Sequence, residues 1–272
     1  MAQRIITILI ASPVILWLLS FNQPPYGTLP SLIFFIAIII LGVSEMMNMI
    51  DKKHPKPLEY IVYSISLLLM LTAFFSETVF LWNSIIFFII SIGVVGLSMY
   101  ELYKKEVYFI SNPFYSTIRT ILYLGWCGAF MVLIRNLPAG GAFTFFIIFG
   151  VWAGDSAAYV LGIKYGKHKL NSVSPKKSIE GAIAGAVATI LVSIFLATPF
   201  IGFVHAVVIS LIMAFLGQAG DLYESLLKRT CHVKDSGEIV PGHGGILDRL
   251  DSFILLFPII YYYLLFFGLD KI

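Results

Sequence analysis

Long apolar stretches alternate with short polar segments along the chain. A helix needs roughly 20 mostly apolar residues to cross a bilayer. Nine stretches approach that length, at about residues 4–21, 29–50, 59–76, 79–100, 117–136, 142–163, 181–200, 203–220 and 252–269. This pattern predicts an all-α fold, a polytopic integral membrane helix bundle with about nine transmembrane spans.

The composition supports the same class of protein. Hydrophobic residues make up 59% of the chain and charged residues only 12%, whereas soluble domains have about 45–50% apolar and about 25% charged residues. A water-soluble fold is therefore excluded. No small-residue cleavage site follows the first apolar run, so we expect this run to remain as the first span.

The basic residues are distributed unevenly between the two sides that nine spans would define. With the N-terminus inside, sixteen of the 18 Lys and Arg residues fall on the inner side, and only Arg135 and Lys271 fall outside. Basic residues favour cytoplasmic segments, so we predict a cytoplasmic N-terminus. We expect one membrane domain, with a scaffold in 1–136 and a catalytic half in 142–272 whose cytoplasmic loops are 164–180 and 221–251.

The most polar part of the chain begins where the eighth predicted span ends. Asp221, Glu224, Ser225 and Lys228 are spaced i, i+3, i+4 and i+7, which puts them on one face of a helix. Charged side chains at the end of a span face the bundle interior or a water-filled cavity, because lipid would not solvate them. This stripe is therefore a candidate functional site.

A glycine-rich turn and two further acids follow before the last span. Gly242, Gly244 and Gly245 surround His243, and glycines allow the backbone to approach a ligand closely. Asp248 and Asp251 follow at helical spacing. Carboxylates beside basic groups suit Mg²⁺ and phosphate binding. The alternatives are ordinary helix capping for Asp251 and a simple turn role for His243.

Two other polar features lie close to predicted spans. Asp155 lies inside an apolar span, where a carboxylate is costly and indicates function. Lys176 and Lys177 follow a Ser-Pro turn; they either bind phosphate or only set the membrane orientation. Glu45 and Asn48 are interpreted as polar contacts between helices, outside the site.

Three segments together resemble the phosphatidate cytidylyltransferase (CDP-diglyceride synthetase) family. The main one contains Ser225, Lys228, Arg229, Lys234 and Asp235 and runs on through Pro241–Asp251. Asp155–Tyr159 and Ser174–Gly181 are also similar to the family, except that Ser178 replaces the usual Thr after the two lysines. The resemblance is strong over about residues 150–255 and rests on hydropathy alone in the N-terminal half.

The resemblance implies transfer of CMP from CTP to phosphatidic acid, with Mg²⁺ as cofactor. The implied site residues fall into three groups. The catalytic residues would be Asp221, Asp248, Asp251, Lys234, Asp235 and His243; the substrate-binding residues Lys176, Lys177, Ser225, Arg229, Gly242, Gly244, Gly245 and Arg249; and the metal ligands Asp221, Asp248, Asp251, Glu224 and Asp155.

Three other classes of protein remain open at this point. A CTP-dependent lipid kinase would use similar groups but transfer the γ-phosphate. A transporter or channel would use Asp155 and Asp221 as an ion path, and a structural subunit would leave the acids unexplained. We expect the lipid bilayer to be a partner and nucleic acid not to be one. We also expect a bacterial inner membrane location, with the site on the cytoplasmic side. The sequence does not fix the oligomeric state, and a homodimer is one possibility.

Overall fold

The structure is a computed structural model that describes residues 28–52, 54–75, 80–108, 110–239 and 244–272, with the backbone alone at 80 and 81. The described residues form helices joined by short connections. In chain order the α-helices are α1 Leu29–Asp51, α2 Glu59–Phe74, α3 Ile85–Lys104, α4 Pro113–Thr120, α5 Cys127–Asn136, α6 Gly140–Tyr165, α7 Ile179–Ile201, α8 Phe203–Thr230, α9 Leu247–Ile254 and α10 Leu256–Phe266. A π-helical turn, Ile121–Trp126, joins α4 to α5, and short 3₁₀ segments lie at Phe80–Asn83 and Leu269–Lys271.

The helices confirm the predicted class of fold, an integral membrane bundle. Within the described ranges, seven helical segments are long and apolar enough to cross a membrane, counting Pro113–Asn136 and Leu247–Phe266 as one each. The shorter α2 matches a further predicted span. The first predicted span, 4–21, lies outside the described residues, so the total of nine and the cytoplasmic N-terminus stay predictions.

The helix starts follow from local sequence signals. Ser84 and Ser178 cap α3 and α7 by accepting hydrogen bonds from Phe87 N and Gly181 N, at 3.4 and 3.1 Å. Asn112 caps α4 in the same way, and Pro113 follows it at the first helical position. Hydroxyl and amide oxygens are the usual acceptors for the unpaired N–H groups of a first turn.

Small residues bring α6 and α7 into close contact. A Cβ atom added to Gly185 would lie 3.0 Å from the Ala158 side chain, and one added to Gly154 would collide with Thr189. Small residues at helix contacts let backbones approach closely in lipid. The close approach of α6 and α7 places Asp155 on α6 near Lys177 in the turn before α7.

The π-helical turn Ile121–Trp126 separates two halves of one span, and the two halves contact different neighbours. Gly125 lies in this turn, and a Cβ atom there would collide with Ser66 on α2. Before the turn, Arg119 donates to Glu101 and Tyr223. After it, Phe130 packs on Trp82 and Tyr262 with ring centroids 5.4 and 5.5 Å apart.

The connections that were predicted to be cytoplasmic meet at one end of the bundle. Leu58 N donates to Thr117 Oγ1 at 2.8 Å, and Lys177 pairs with Asp221. At the other end, Asn136 Nδ2 donates to Phe74 O at 3.0 Å. The described helices therefore place these polar connections at one end, where the site also lies, and the side of the membrane that this end faces stays a prediction.

Candidate active site

A cavity of about 670 Å³ lies between α6, α7, α8 and α9 at the polar end of the bundle. Charged residues from four separate chain segments line it, and all of them were predicted from the sequence as site residues. They are Asp155, Lys176, Lys177, Asp221, Asp248, Arg249 and Asp251. The fold therefore brings the predicted acids and bases to one place, although the role of each remains a prediction.

The polar stripe at the end of α8 faces the bundle interior, as predicted. α8 continues to Thr230, so Asp221, Glu224 and Lys228 remain on the same helix and the same face. Asp221 lines the cavity, and Glu224 is fully buried. The connection between α8 and α9 is 231–246, shorter than the polar segment 221–251.

Acidic charge predominates near the first turns of α9. The carboxylate of Asp251 lies within electrostatic range of those of Asp221, Glu224 and Asp155, with Lys177 as the opposing charge. Lys177 also forms an ion pair with Asp221, and both side chains are 30% exposed. Lys177 thus pairs with Asp221, and Lys228 pairs with Glu224. Among the described residues no ion pair involves Asp155 or Asp251, so the oxygens of these two carboxylates remain available to a cation.

Asp248 is held by several groups of the protein. Its Oδ1 atom is 2.5 Å from Lys228 Nζ, and its Oδ2 atom accepts from Gly245 N at 2.8 Å and from both Ser236 N and Ser236 Oγ at 3.1 and 2.9 Å. Lys228 Nζ also lies 2.5 Å from Glu224 Oε2. Asp248 thus ties α8, the connection 231–246 and α9 together.

The donor chemistry of this cavity fits Mg²⁺ bound together with phosphates. Mg²⁺ takes oxygen ligands and is usually held through one or two carboxylates, with water and substrate phosphates completing its shell. Asp155, Asp221 and Asp251 offer such oxygens to the cavity. In the described part of the chain, no three His, Cys, Asp or Glu side chains form a ready-made metal cage. Glu224 and Asp248 already bind Lys228.

Among the described residues, the other predicted site residues do not line the cavity. Ser225 is buried, while Lys234 and Asp235 are exposed. Arg229 donates to Val233 O at 3.0 Å, which closes the turn after α8. Gly242 and His243 lie outside the described residues.

The two other predicted glycines adjoin the acids of α9. Gly244 has φ +85, in the left-handed region where glycine has no steric penalty, and a Cβ there would lie 2.7 Å from Asp248 Oδ2. Gly245 is buried against Ser236 and Glu45. Both positions thus have packing reasons for glycine, and their substrate-binding role stays a prediction.

Sequence reasoning missed three participants near the site. Lys228 was recognised in the polar stripe but not assigned, Ser236 was not singled out, and Glu45 was placed outside the site. Glu45 is buried on α1 and contacts the start of α9. The only sequence signal for Glu45 was a carboxylate near the end of an apolar span.

The fold and the cavity define an integral membrane protein with an acidic and basic site at one end of its bundle. Its sequence matches the model of the cytidylyltransferase family over residues 2–267, and the chain belongs to that family.

One similar protein aligns over nearly the full length of the chain, and two others align over most of it. The phosphatidate cytidylyltransferase of Bacillus subtilis (strain 168) is 35% identical over 276 residues, which is 98% of this chain and 99% of that protein. The protein of the same name from Staphylococcus epidermidis (strain ATCC 35984) is 32% identical over 242 residues, or 86% and 89% of the two chains. That of Staphylococcus saprophyticus is 38% identical over 177 residues, or 63% and 66%.

Proposed function

We propose that this protein transfers the cytidylyl group of CTP to phosphatidic acid, giving CDP-diacylglycerol and pyrophosphate. Family membership and the names of its relatives support this activity. The observation that carries it is the cavity, where seven charged residues from α6, the turn before α7, α8 and α9 converge. A site for two phosphate-bearing substrates needs this mixture of carboxylates and fixed cations.

The reaction requires the site to neutralise negative charge more than to transfer protons. A phosphate oxygen of the lipid attacks the α-phosphorus of CTP, a new P–O bond forms, and the bond to pyrophosphate breaks. The attacking oxygen is already anionic, so no strong general base is required. The difficulty is repulsion between two polyanions, and fixed cations lower that repulsion.

Each side of the cavity has a distinct role in this proposal. Lys176, Lys177 and Arg249 would hold phosphate oxygens, and Asp155, Asp221 and Asp251 would hold Mg²⁺, which would supply positive charge to offset the phosphates. Lys177 and Asp221 form an ion pair. We expect this pair to separate when CTP binds, because each partner then has a ligand of opposite charge.

The cavity also offers room for a lipid. Apolar residues of the same helices line it beside the charged ones, among them Val151, Ile163 and Met213. A substrate with a phosphate head and acyl chains needs such a transition from polar to apolar lining. We propose a bacterial inner membrane location with the cavity on the cytoplasmic side, because the basic residues predict that side. A homodimer and the absence of a nucleic-acid partner stay predictions.

A labelling experiment tests the activity. Membranes containing the protein receive Mg²⁺, phosphatidic acid and CTP labelled either in cytosine or in the γ-phosphate, and the lipid phase is counted. We expect cytosine label in lipid, its loss without Mg²⁺, and its loss in an Asp251→Asn variant. Glu106→Gln is the matched control, since Glu106 is an exposed acid that does not line the cavity.

The other outcomes identify the competing classes of protein. Entry of γ-phosphate label into lipid would establish a kinase and refute attack at the α-phosphorus. Entry of neither label, with the protein folded in detergent, would refute cytidylyl transfer and favour a transporter.

A further inference from the structure

Glu45 lies on α1, far in sequence from the charged segments, yet it contacts the first residues of α9. Its side chain is buried, with the residue 3% exposed. Ile246 N donates to Glu45 Oε1 at 3.0 Å and Leu247 N donates to Oε2 at 2.9 Å, across sequence separations of 201 and 202 residues. No ion pair to Glu45 occurs among the described residues.

These contacts replace a cap that α9 lacks. Ile246 precedes the helix and has no side chain that could accept a hydrogen bond, and no local side chain caps α9. The first N–H groups of a helix have no partner within the helix, and a negative charge there is also favoured by the helix dipole. Glu45 supplies both the acceptor and the charge from another helix.

The described part of the connection between α8 and α9, 231–239 and 244–246, is shaped around the Glu45 carboxylate. A Cβ atom on Gly237 or on Gly245 would collide with its oxygens. Ser236 Oγ lies 2.9 Å from Glu45 Oε2 and 2.9 Å from Asp248 Oδ2. A hydroxyl has one proton to donate, so Ser236 links the two carboxylates and donates to one of them at a time.

The first turns of α9 carry the residues that Glu45 would orient. Arg249 and Asp251 on these turns both line the cavity. We propose that Glu45 is a positioning residue for the cytidylyl transfer, acting on Arg249 and Asp251 through the α9 start and Ser236. This inference rests on the proposed function, and it assigns to α1 a role that is separate from membrane anchoring.

Removal of the charge at Glu45 tests the proposal. In Glu45→Gln an amide NH₂ replaces one oxygen and faces backbone donors, so the start of α9 loses an acceptor. We expect kcat to fall about 10-fold to 100-fold, because small misplacements of catalytic groups have effects of that size. The KM for phosphatidic acid is expected to change less than kcat, since Glu45 does not itself line the cavity.

A second variant perturbs the Glu45 carboxylate from the connection that precedes α9. Gly237→Ala pushes a methyl group against Glu45 and should reproduce the fall in kcat. The double variant should be no worse than either single one, because both disturb one contact. Matched controls are Asp51→Asn, an exposed acid at the end of α1, and Gly96→Ala, whose added Cβ meets nothing within 4 Å.

Hydrogen exchange of the detergent-purified protein provides a readout that does not depend on turnover. We expect faster exchange in Glu45→Gln for the peptide that contains Ile246 and Leu247, with a melting temperature close to that of the wild type. Wild-type kcat, unchanged exchange at α9, or a loss of kcat that only follows the folded fraction would overturn the proposal. If wild-type protein transfers no cytosine label to lipid, the proposed function fails, and the exchange result still decides whether Glu45 positions α9.

Discussion

Lys228 bridges two buried carboxylates, and its removal should destabilise the fold strongly. Its Nζ atom lies 2.5 Å from both Glu224 Oε2 and Asp248 Oδ1, and the side chains of Lys228, Glu224 and Asp248 are 12%, 0% and 9% exposed. In Lys228→Met, a side chain of similar length keeps the volume but leaves two acids without their cation. Repulsion between these acids then adds to the cost of burying each charge.

The expected loss of stability follows from the two ion pairs that Lys228→Met removes. Breaking a buried pair by removing one partner costs about 3–5 kcal/mol. For a chain of this size each kcal/mol lowers the melting temperature by roughly 2–4 °C. We therefore expect the melting temperature of Lys228→Met in detergent to fall by about 6–20 °C. Thermal unfolding followed by tryptophan fluorescence measures this without reference to activity.

Two comparisons decide whether the loss of the Lys228 ion pairs causes the lower melting temperature. Lys228→Met combined with Glu224→Gln should recover part of the lost stability, because one of the two stranded charges is gone. Lys56→Met should leave the melting temperature unchanged, since its pair with Glu59 is exposed on both sides, at 43% and 37%. A melting temperature for Lys228→Met within 2 °C of wild type, or strictly additive effects in the double variant, would refute this reasoning.

Three further changes have direct readouts. Lys177→Gln should raise the KM for CTP about 10-fold or more, the size expected for a charge-assisted hydrogen bond, and an unchanged KM in steady-state assays would exclude phosphate binding by Lys177. Gly154→Val should lower stability by about 1–3 kcal/mol through overpacking against Thr189, and Thr189→Ala should relieve part of that loss in thermal melts. Burial raises the pKa of Cys231 to about 11, and only the thiolate reacts with maleimide. In a Cys127→Ala background, maleimide should therefore label Cys231 slowly in the folded protein at neutral pH and rapidly after denaturation.

Hydropathy and charge identified the spans because each of those signals is local. The apolar runs that became α6 and α7 were recognised within a few residues of their bounds, and α8 begins at the predicted residue but continues ten residues past the predicted end of its span. The helical spacing of Asp221, Glu224 and Lys228 also predicted correctly that one face of α8 is polar and points inward. These features depend only on residues that are near one another in the chain.

Contacts between distant segments were beyond the reach of that reasoning. Nothing in the spacing of residues relates Glu45 to Ile246, because the helices between them set the geometry. Asp248 was predicted from the family resemblance as a metal ligand, and the structure shows it bound to Lys228, Ser236 and Gly245. Its metal role therefore stays a prediction, and its structural role required the fold.

The π-helical turn at Ile121–Trp126 has a consequence for how this span tolerates changes in length. A π-turn holds one residue more than an α-turn, so deleting one residue there would restore a continuous α-helix. The two halves would then rotate against each other by about 100°, the angle of one residue in an α-helix. Arg119 and Phe130 could no longer both reach their partners. The number of residues in this turn therefore sets the registration of the polar end against the aromatic end, and a single deletion here should be less tolerated than most substitutions.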